Sequence, residues 1–239
     1  GVMLDDPLAH VVILTNGSLI SDRLLASLRG MDVSRLHLQV SLDGSRAELN
    51  DALRSPRAFQ RATAGIGRAV AAGIETTVTT VVLEANLHDL PDMARLLPML
   101  GVSSWHLMWQ HLRERGAKEP AATVEAVTGA VLALKPVADE AGVTIDNFDS
   151  FRGIVNGEPC TKRDGTNAAW DSLAVHADGG VFPSAALVGV EDFRFGSVLN
   201  GSLRDTWLHS PGAGAYRRRS AVECASIEQD EFLLLHGGG

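Results

Sequence analysis

The chain has 239 residues, a formal net charge of −8 at pH 7 and an apolar fraction of 45%. This apolar fraction supports a sizeable core, and the length allows one large domain or one domain with a small appendage. The negative charge disfavours nucleic acid and anionic membrane surfaces as partners. Two cysteines, Cys160 and Cys224, are too few for a disulfide-rich scaffold or a CxxC metal finger.

The sequence contains no recognisable membrane span or signal peptide. The most apolar stretch, residues 121–142, carries four charged side chains, and the first ten residues lack the basic and apolar regions of a secretory signal. We therefore expect a cytoplasmic protein. The chain begins at Gly1 within ordinary domain sequence and ends on three glycines after an apolar run, which favours an internal segment of a longer protein.

Short aliphatic runs alternate with helical stretches that end in glycine over residues 10–147. The predicted strands are residues 10–15, 36–41, 76–83, 103–109 and 143–147. The predicted helices are residues 21–28, 56–72, the stretch after residue 83 up to residue 100, and 121–141. This alternation predicts parallel strands joined by right-handed crossovers. Continuous runs such as VVIL and TTVVL predict burial on both faces. The expected fold class is α/β, with an open sheet or a partial (β/α) barrel, since five strands are too few for an eight-unit barrel.

The amino-acid composition changes after about residue 148. Glycine, proline, asparagine and aspartate become frequent there, and no further long helix is predicted. We therefore predict two domains, residues 1–148 and a small α+β extension of residues 149–239. The segment Ala177-Asp178-Gly179-Gly180 predicts a hairpin turn between strands at 172–176 and 181–182. Short helices are expected at 202–208 and 216–220.

Four consecutive predicted strands end in small polar or acidic residues. These ends are Thr15-Asn16-Gly17, Ser41-Leu42-Asp43-Gly44, Glu84-Ala85-Asn86 and Trp109-Gln110-His111. The carboxyl ends of parallel strands meet at one edge, where such folds bind ligands. The polar residues at any one strand end can be explained by turn formation. Taken together, the four ends predict a polar ligand site. The sequence has no Walker loop, GxGxxG helix start or HExxH motif.

Taken in order, these residues resemble a radical SAM core. The matching pieces are residues 15–20 (TNGSLI), 40–44 (VSLDG), Arg54, 81–82 with Asn86, and 101–107. The downstream part resembles the SPASM extension of peptide-modifying members of that family. Its matching pieces are Cys160, the hairpin 178–183, residues 196–198 with Leu203 and Trp207, and Cys224. The resemblance covers nearly the whole chain, and SLDG after TNG is its most specific part.

The resemblance implies a partial (β/α)6 barrel that binds S-adenosylmethionine (SAM) on a 4Fe–4S cluster. The implied reaction is reductive cleavage of SAM, with an electron from a donor, to a 5′-deoxyadenosyl radical that abstracts hydrogen from a peptide or protein substrate. By this resemblance Ser41 bonds the ribose or amino-acid part of SAM, and Asp43 shapes that loop. Arg54 pairs with the SAM carboxylate, and the backbone near Leu107 lines the adenine. Asn16 completes the expected cofactor-binding set.

The departures from the family pattern concern its cysteines. The core CxxxCxxC segment and a Gly-Gly-Glu-Pro segment are absent and are expected upstream of Gly1. Downstream, Ser184, Ile227 and residues 235–236 stand where cysteines are expected, and these side chains cannot replace thiolates. Cys160 and Cys224 remain as ligands of an auxiliary cluster or as ordinary buried thiols. We therefore expect this chain alone not to cleave SAM, to expose its sheet edge at residues 10–15 and to be poorly soluble.

Two other interpretations stay open. One is a non-catalytic, degenerate barrel that binds a peptide or protein partner without a cluster. The other is a metal-independent α/β-barrel enzyme that uses Asp43, Asn86 and His111.

Overall fold

The computed structural model describes residues 9–28, 32–109, 122–148, 168–170 and 172–218. The chain divides into two compact units, Gly1–Phe148 and Asp149–Gly239. The assignment of these units to a radical SAM barrel and a SPASM-like extension stays a prediction.

A five-stranded parallel sheet forms the centre of the first unit, and the order of its strands in space follows their order in the chain. The strands are β1 (Val11–Thr15), β2 (Leu36–Ser41), β3 (Glu75–Val82), β4 (Ser104–Trp109) and β5 (Thr144–Ile145). The predicted α/β class and parallel pairing are therefore confirmed. Strand β5 is shorter than predicted. The Asn147 side chain, in place of strand backbone, bonds Leu107 of β4: its Oδ1 accepts from the Leu107 N–H at 3.3 Å, and its Nδ2 donates to the Leu107 C=O at 2.6 Å.

Five α-helices connect or follow these strands. They are α1 (Asp22–Ser27), α2 (Ala47–Leu53), α3 (Ala58–Ala71), α4 (Leu90–Met99) and α5 (Val124–Glu140). The sequence pattern does not predict the short helix α2. Helix α3 starts later than the predicted Pro56 because Arg57 adopts a left-handed φ of 63°. The Asp51 carboxylate holds that bend by accepting the backbone N–H groups of Arg57 and Phe59 at 2.6 and 2.8 Å.

One face of the sheet packs against α3, α4 and α5 and forms the apolar core. Alternate strand residues supply this face, and the two central contributors are Val78 and Trp105, both fully buried. Strand β3 is buried on both faces, as predicted. The same prediction is wrong for β1, whose Val12, Ile13 and Leu14 are 53%, 45% and 66% exposed. Strand β1 lies at the end of the strand order, and α1 after it buries no residue.

The second unit contains a small antiparallel sheet of β6 (Ala174–Val175), β7 (Gly180–Phe182) and β8 (Gly196–Ser197). The predicted hairpin is confirmed, while the sequence pattern does not predict β8. Helices α6 (Leu203–His209) and α7 (Pro211–Arg218) follow. The predicted helix at 216–220 begins earlier because Pro211 has the backbone geometry of a helix start, and residues 219–220 lie outside the described part. None of the described helices is long and apolar enough to cross a membrane.

Candidate functional site

The site lies where β2 and β3 end, and its base is a buried hydrogen-bond chain. The Leu42 N–H donates to the Thr79 C=O at 2.9 Å, which extends the β2–β3 pairing by one residue. On the core side, the Trp105 indole Nε1 donates to the Thr80 hydroxyl at 2.9 Å, and that hydroxyl donates to the Leu42 C=O at 2.7 Å. This chain fixes the start of the loop that carries Asp43.

The buried side chain of Asn86 joins the loops that follow β2 and β3. Its Nδ2 donates to the C=O groups of Asp43 and Val81, both at 2.9 Å, and its Oδ1 accepts from the Leu83 N–H at 2.8 Å. With 1% of its surface exposed, Asn86 has no open position for a reacting group. Its role is therefore to lock the two loops together, and the structure does not favour Asn86 as a catalytic residue.

Asp43 and Arg54 form a close ion pair at this edge. Arg54 Nε lies 2.7 Å from Asp43 Oδ2, and the exposed fractions of the two side chains are 24% and 8%. The Asp43 Oδ1 accepts the Val81 N–H at 2.9 Å, and the Asp43 N–H donates to Asn50 Oδ1 at 2.9 Å. Arg54 Nε is nevertheless buried without a hydrogen-bond partner among the described residues, so its contact with Asp43 is an ion pair and not an aligned hydrogen bond. A guanidinium at this edge suits an anionic ligand.

Ser41 lies in a polar row on the face of the sheet opposite the core. Strand register aligns Ser41 with Thr79 of β3, and Thr79 with His106 of β4. The Thr79 hydroxyl is buried and has no hydrogen-bond partner among the described residues, and its residue is 4% exposed. His106 lies on the face opposite Trp105 and Leu107, and its Nδ1 is 2.7 Å from Asp146 Oδ1. An unpaired buried hydroxyl beside Ser41 is an unused hydrogen-bonding group directed at this face.

The structure does not bring the other expected residues together with Ser41, Asp43 and Arg54. Asn16 ends β1 at the same edge, but its Oδ1 accepts only from the Ser18 N–H and hydroxyl among its described contacts, which is a local turn. The backbone of Leu107 is already bonded by Asn147 on the β5 side. Cys160, Cys224 and His111 lie outside the described residues.

The described residues contain no group of three His, Cys, Asp or Glu side chains that is placed to hold a metal ion. The sequence has two cysteines in all, so the chain cannot supply the thiolates of a Cys₄ cluster site. The donor set of this chain therefore does not fit a 4Fe–4S cluster, whereas the Arg54 guanidinium and the Thr79 hydroxyl fit a polar ligand with a carboxylate.

Residues 3–97 match the sequence profile described as the Radical SAM superfamily. The match covers 95 of the 239 residues. The match includes β1 to β3 and most of α4, and it therefore contains Asn16, Ser41, Asp43 and Arg54.

Several curated relatives share this radical SAM segment. The AdoMet-dependent heme synthase of Nitratidesulfovibrio vulgaris is 35% identical over 97 residues, which is 40% of this chain and 26% of that protein. The PqqA peptide cyclase of Methylocella silvestris is 25% identical over 232 residues, which is 92% of this chain and 60% of that protein. The chain thus spans between about a quarter and six tenths of the length of these relatives.

Solved radical SAM structures share the fold over most of the chain. The anSMEcpe structure with bound AdoMet and Cp18Cys peptide has a TM-score of 0.73 and 13% identity, covering 96% of this chain and 65% of that one. The Streptococcus suis SuiB structure with bound S-adenosylmethionine has a TM-score of 0.74 and 14% identity, covering 95% of this chain and 54% of that one. At this identity the comparison establishes the fold and leaves the ligand roles of individual residues as predictions.

Sequence reasoning missed several residues that build the site. Asn50, Thr79, Thr80 and Asp89 are all buried and polar. A signal was present for Asn50, since an asparagine in a helix interior is unfavourable unless its amide has a specific partner. The two threonines gave no signal, because threonine is common in any strand.

Proposed function

We propose that this chain is part of a radical SAM enzyme that modifies a peptide or protein by hydrogen abstraction, with a SPASM-type extension after residue 148. The observation that carries the proposal is the ion pair of Arg54 with Asp43 at the same sheet edge as Ser41. The radical SAM match over residues 3–97 and the likeness to the PqqA peptide cyclase over 92% of the chain support it. An electron donor, a peptide substrate and a cytoplasmic location belong to the same proposal.

The residues of this chain bind and orient SAM. Arg54 would hold the SAM carboxylate, since a planar guanidinium pairs well with a carboxylate. Ser41 and the adjacent Thr79 offer two hydroxyls to the polar groups of the ribose or amino-acid part. The reaction needs one electron to cleave SAM to methionine and a 5′-deoxyadenosyl radical, which takes a hydrogen atom from the substrate. The described residues supply no ligands for the cluster that delivers that electron in this family.

A second candidate is a non-catalytic module that keeps the fold and binds a peptide or protein partner. This candidate needs no cluster ligands, and the two thiols of these 239 residues cannot complete one four-thiolate cluster. The two candidates differ in their chemistry, so one assay separates them.

The assay is anaerobic formation of 5′-deoxyadenosine by the natural, whole protein after treatment with iron and sulfide, with dithionite as reductant and SAM as substrate. We expect product from the whole protein, and at least a tenfold loss of product in Arg54→Gln, since a charge-assisted contact is removed. Arg57→Gln is the matched control, because Arg57 is exposed and three residues away. Absence of product from the intact, cluster-loaded protein would favour the non-catalytic module.

A further inference from the structure

Two Asn-Gly pairs lie in loops that the structure describes, Asn16-Gly17 after β1 and Asn200-Gly201 before α6. At such a pair the backbone nitrogen of the glycine can attack the asparagine side chain, because glycine has no Cβ to hinder the approach. The reaction requires an unpaired nitrogen and a side chain that is free to meet it. The two pairs differ on both points. A third pair, Asn156-Gly157, lies outside the described residues.

The Asn16-Gly17 pair is held by hydrogen bonds and by packing. The Gly17 N–H donates to the Thr15 hydroxyl at 3.1 Å. Asn16 Oδ1 accepts from the Ser18 N–H and hydroxyl at 3.0 and 2.7 Å. Gly17 is buried, and its C=O lies so close to α3 that a Cβ at Gly65 would be 2.3 Å away. Both reacting groups of this pair are therefore occupied in a packed turn.

The Asn200-Gly201 pair has neither restraint. Both residues are exposed, and the Asn200 side chain and the Gly201 N–H have no hydrogen-bond partner among the described residues. The Asn200 N–H donates to the Ser197 C=O at 3.2 Å, which holds the backbone of the turn and leaves the amide side chain free. A Cβ built on Gly201 meets nothing within 4 Å, so the space around the attacking nitrogen is open.

We propose that Asn200 is a site of spontaneous deamidation and that the fold protects Asn16 from the same reaction. The Gly201 nitrogen gives up its proton and forms a C–N bond to Asn200 Cγ, the Cγ–Nδ2 bond breaks, and ammonia leaves with a proton from water. Water then opens the succinimide ring to aspartate or isoaspartate. No electron is transferred, and water is the co-reactant. This inference concerns the second unit and does not depend on the proposed function.

The product changes a cavity of the second unit. Asn200 lines a cavity of about 750 Å³, and Asp178, Arg194 and Thr206 are among the other residues that line it. Deamidation adds a carboxylate to this lining, where Arg194 already pairs with Asp178 at 3.0 Å. Isoaspartate also adds one methylene to the main chain between β8 and α6. The modified protein therefore has a more negative cavity and a longer loop beside it.

The test follows the two asparagines separately in the folded, purified protein during incubation at pH 8 and 37 °C. Trypsin yields residues 195–204 with Asn200 and residues 1–23 with Asn16, and mass spectrometry reports the replacement of NH₂ by OH in each peptide. We expect Asn200 to react about tenfold faster than Asn16, since hydrogen bonds and packing raise the barrier at Asn16. In urea, where the fold is lost, the two should react at similar rates.

Gly201→Ala tests the attacking group. Its Cβ meets nothing within 4 Å, so the melting temperature should equal that of the wild type. The added methyl group hinders ring closure and should slow the deamidation of Asn200 about tenfold. Gly67→Ala is the matched control, because its Cβ also meets nothing within 4 Å and it follows no asparagine. This variant should leave the rate at Asn200 unchanged.

Three results would overturn the inference. Equal rates at Asn16 and Asn200 in the folded protein would show that the fold protects neither residue more than the other. A Gly201→Ala protein that deamidates at the wild-type rate would show that the Gly201 nitrogen is not the attacking group. A folded protein in which neither asparagine reacts, although both react in urea, would show that the turn at Asn200 is protected as well.

Discussion

The Asp89 carboxylate accepts two hydrogen bonds from Ser45, one from its backbone N–H at 2.6 Å and one from its hydroxyl at 2.7 Å. Asp89 is 1% exposed, and the cation closest to it in the described structure is the half-exposed Arg46 at 3.9 Å. A buried carboxylate is tolerated when hydrogen bonds satisfy it. This contact ties the loop after β2 to the start of α4, next to the ion pair of Asp43 and Arg54.

Asp89→Asn should destabilise the first unit by about 1–3 kcal/mol, because an amide nitrogen replaces one of the two accepting oxygens and faces a donor. Asp92→Asn is the matched control on α4. Asp92 is exposed and pairs only with Arg95 three residues on, so its loss should cost less than about 1 kcal/mol. Urea unfolding followed by circular dichroism measures both, and equal midpoints for the two variants would contradict the structural role of Asp89.

Thr80→Val should be strongly destabilising. The Thr80 hydroxyl accepts from the Trp105 indole and donates to the Leu42 C=O, and all three residues are fully buried. Valine leaves the indole N–H and the carbonyl without partners, which costs about 1–3 kcal/mol for each. Thermal unfolding of Thr80→Val and Thr80→Ser is the measurement. Serine keeps the hydroxyl and should retain most of the stability.

Thr79→Val, one residue earlier, should not reduce the stability of the fold. The Thr79 hydroxyl is buried with no hydrogen-bond partner, so valine removes an unsatisfied group of the same shape and should leave stability unchanged or raise it by about 1 kcal/mol. The same variant should bind SAM more weakly if this hydroxyl faces the ligand. A large loss of stability in Thr79→Val would show that the hydroxyl has a structural partner.

Gly65→Ala should destabilise the first unit and Gly67→Ala should not, although both lie in α3. A Cβ at Gly65 would lie 2.3 Å from the Gly17 C=O in the turn after β1, whereas a Cβ at Gly67 meets nothing within 4 Å. The first change forces α3 away from the turn at a cost of about 1–3 kcal/mol. The second should stabilise by up to about 1 kcal/mol, since alanine favours the helix. Denaturant midpoints of the two variants test this difference in sign.

Asp178→Asn should lower the melting temperature of the second unit at neutral pH and have a diminishing effect in acid. The Gly180 N–H, which donates to Oδ1 at 2.7 Å, lowers the pKa of Asp178, and hydrogen bonds from His176 and Arg194 lower it further. Because the folded state favours the carboxylate, its stabilisation is present above the ordinary aspartate pKa and is lost as pH falls through the lowered value.

The measurement is the melting temperature of Asp178→Asn and of the wild type between pH 7 and pH 2. The difference should be largest at pH 7 and should close below the pKa of the folded state. Asp192→Asn, an exposed carboxylate of the same unit, should show little difference at any pH. A gap that stays constant from pH 7 to pH 2 would show that the Asp178 charge is not its cause.

The alternation of strands and helices is predictable from the sequence because aliphatic runs and glycine stops are local signals. Helix α2 is not, because seven residues between Gly44 and Pro56 are too few for a clear periodic pattern. Helix α4 also begins later than the sequence predicts, because residues Glu84–Asp89 form a 3₁₀ helix. The Asn86 side chain in this segment bonds Leu83 nearby and also Asp43 at the end of another strand, a contact that no local pattern shows.

The polar strand ends predicted the edge at which the site lies, but they did not predict its internal contacts. The Asn86 contact with Asp43 spans 43 residues and the Ser45 contact with Asp89 spans 44, so no local pattern encodes either of them. The structure shows the Arg54 side chain largely buried and ion-paired with Asp43, while the ligand roles of Ser41, Asp43, Arg54, Asn16 and Leu107 stay predictions.

The most direct measurement is a crystal structure of the chain with SAM, or with S-adenosylhomocysteine as a stable analogue. We predict that the ligand carboxylate lies within hydrogen-bond distance of the Arg54 terminal nitrogens, that Asp43 keeps its contact with Nε, and that the ribose or amino-acid part reaches Ser41. A ligand bound elsewhere, without contact to Arg54, would contradict the assignment of this sheet edge as the SAM site.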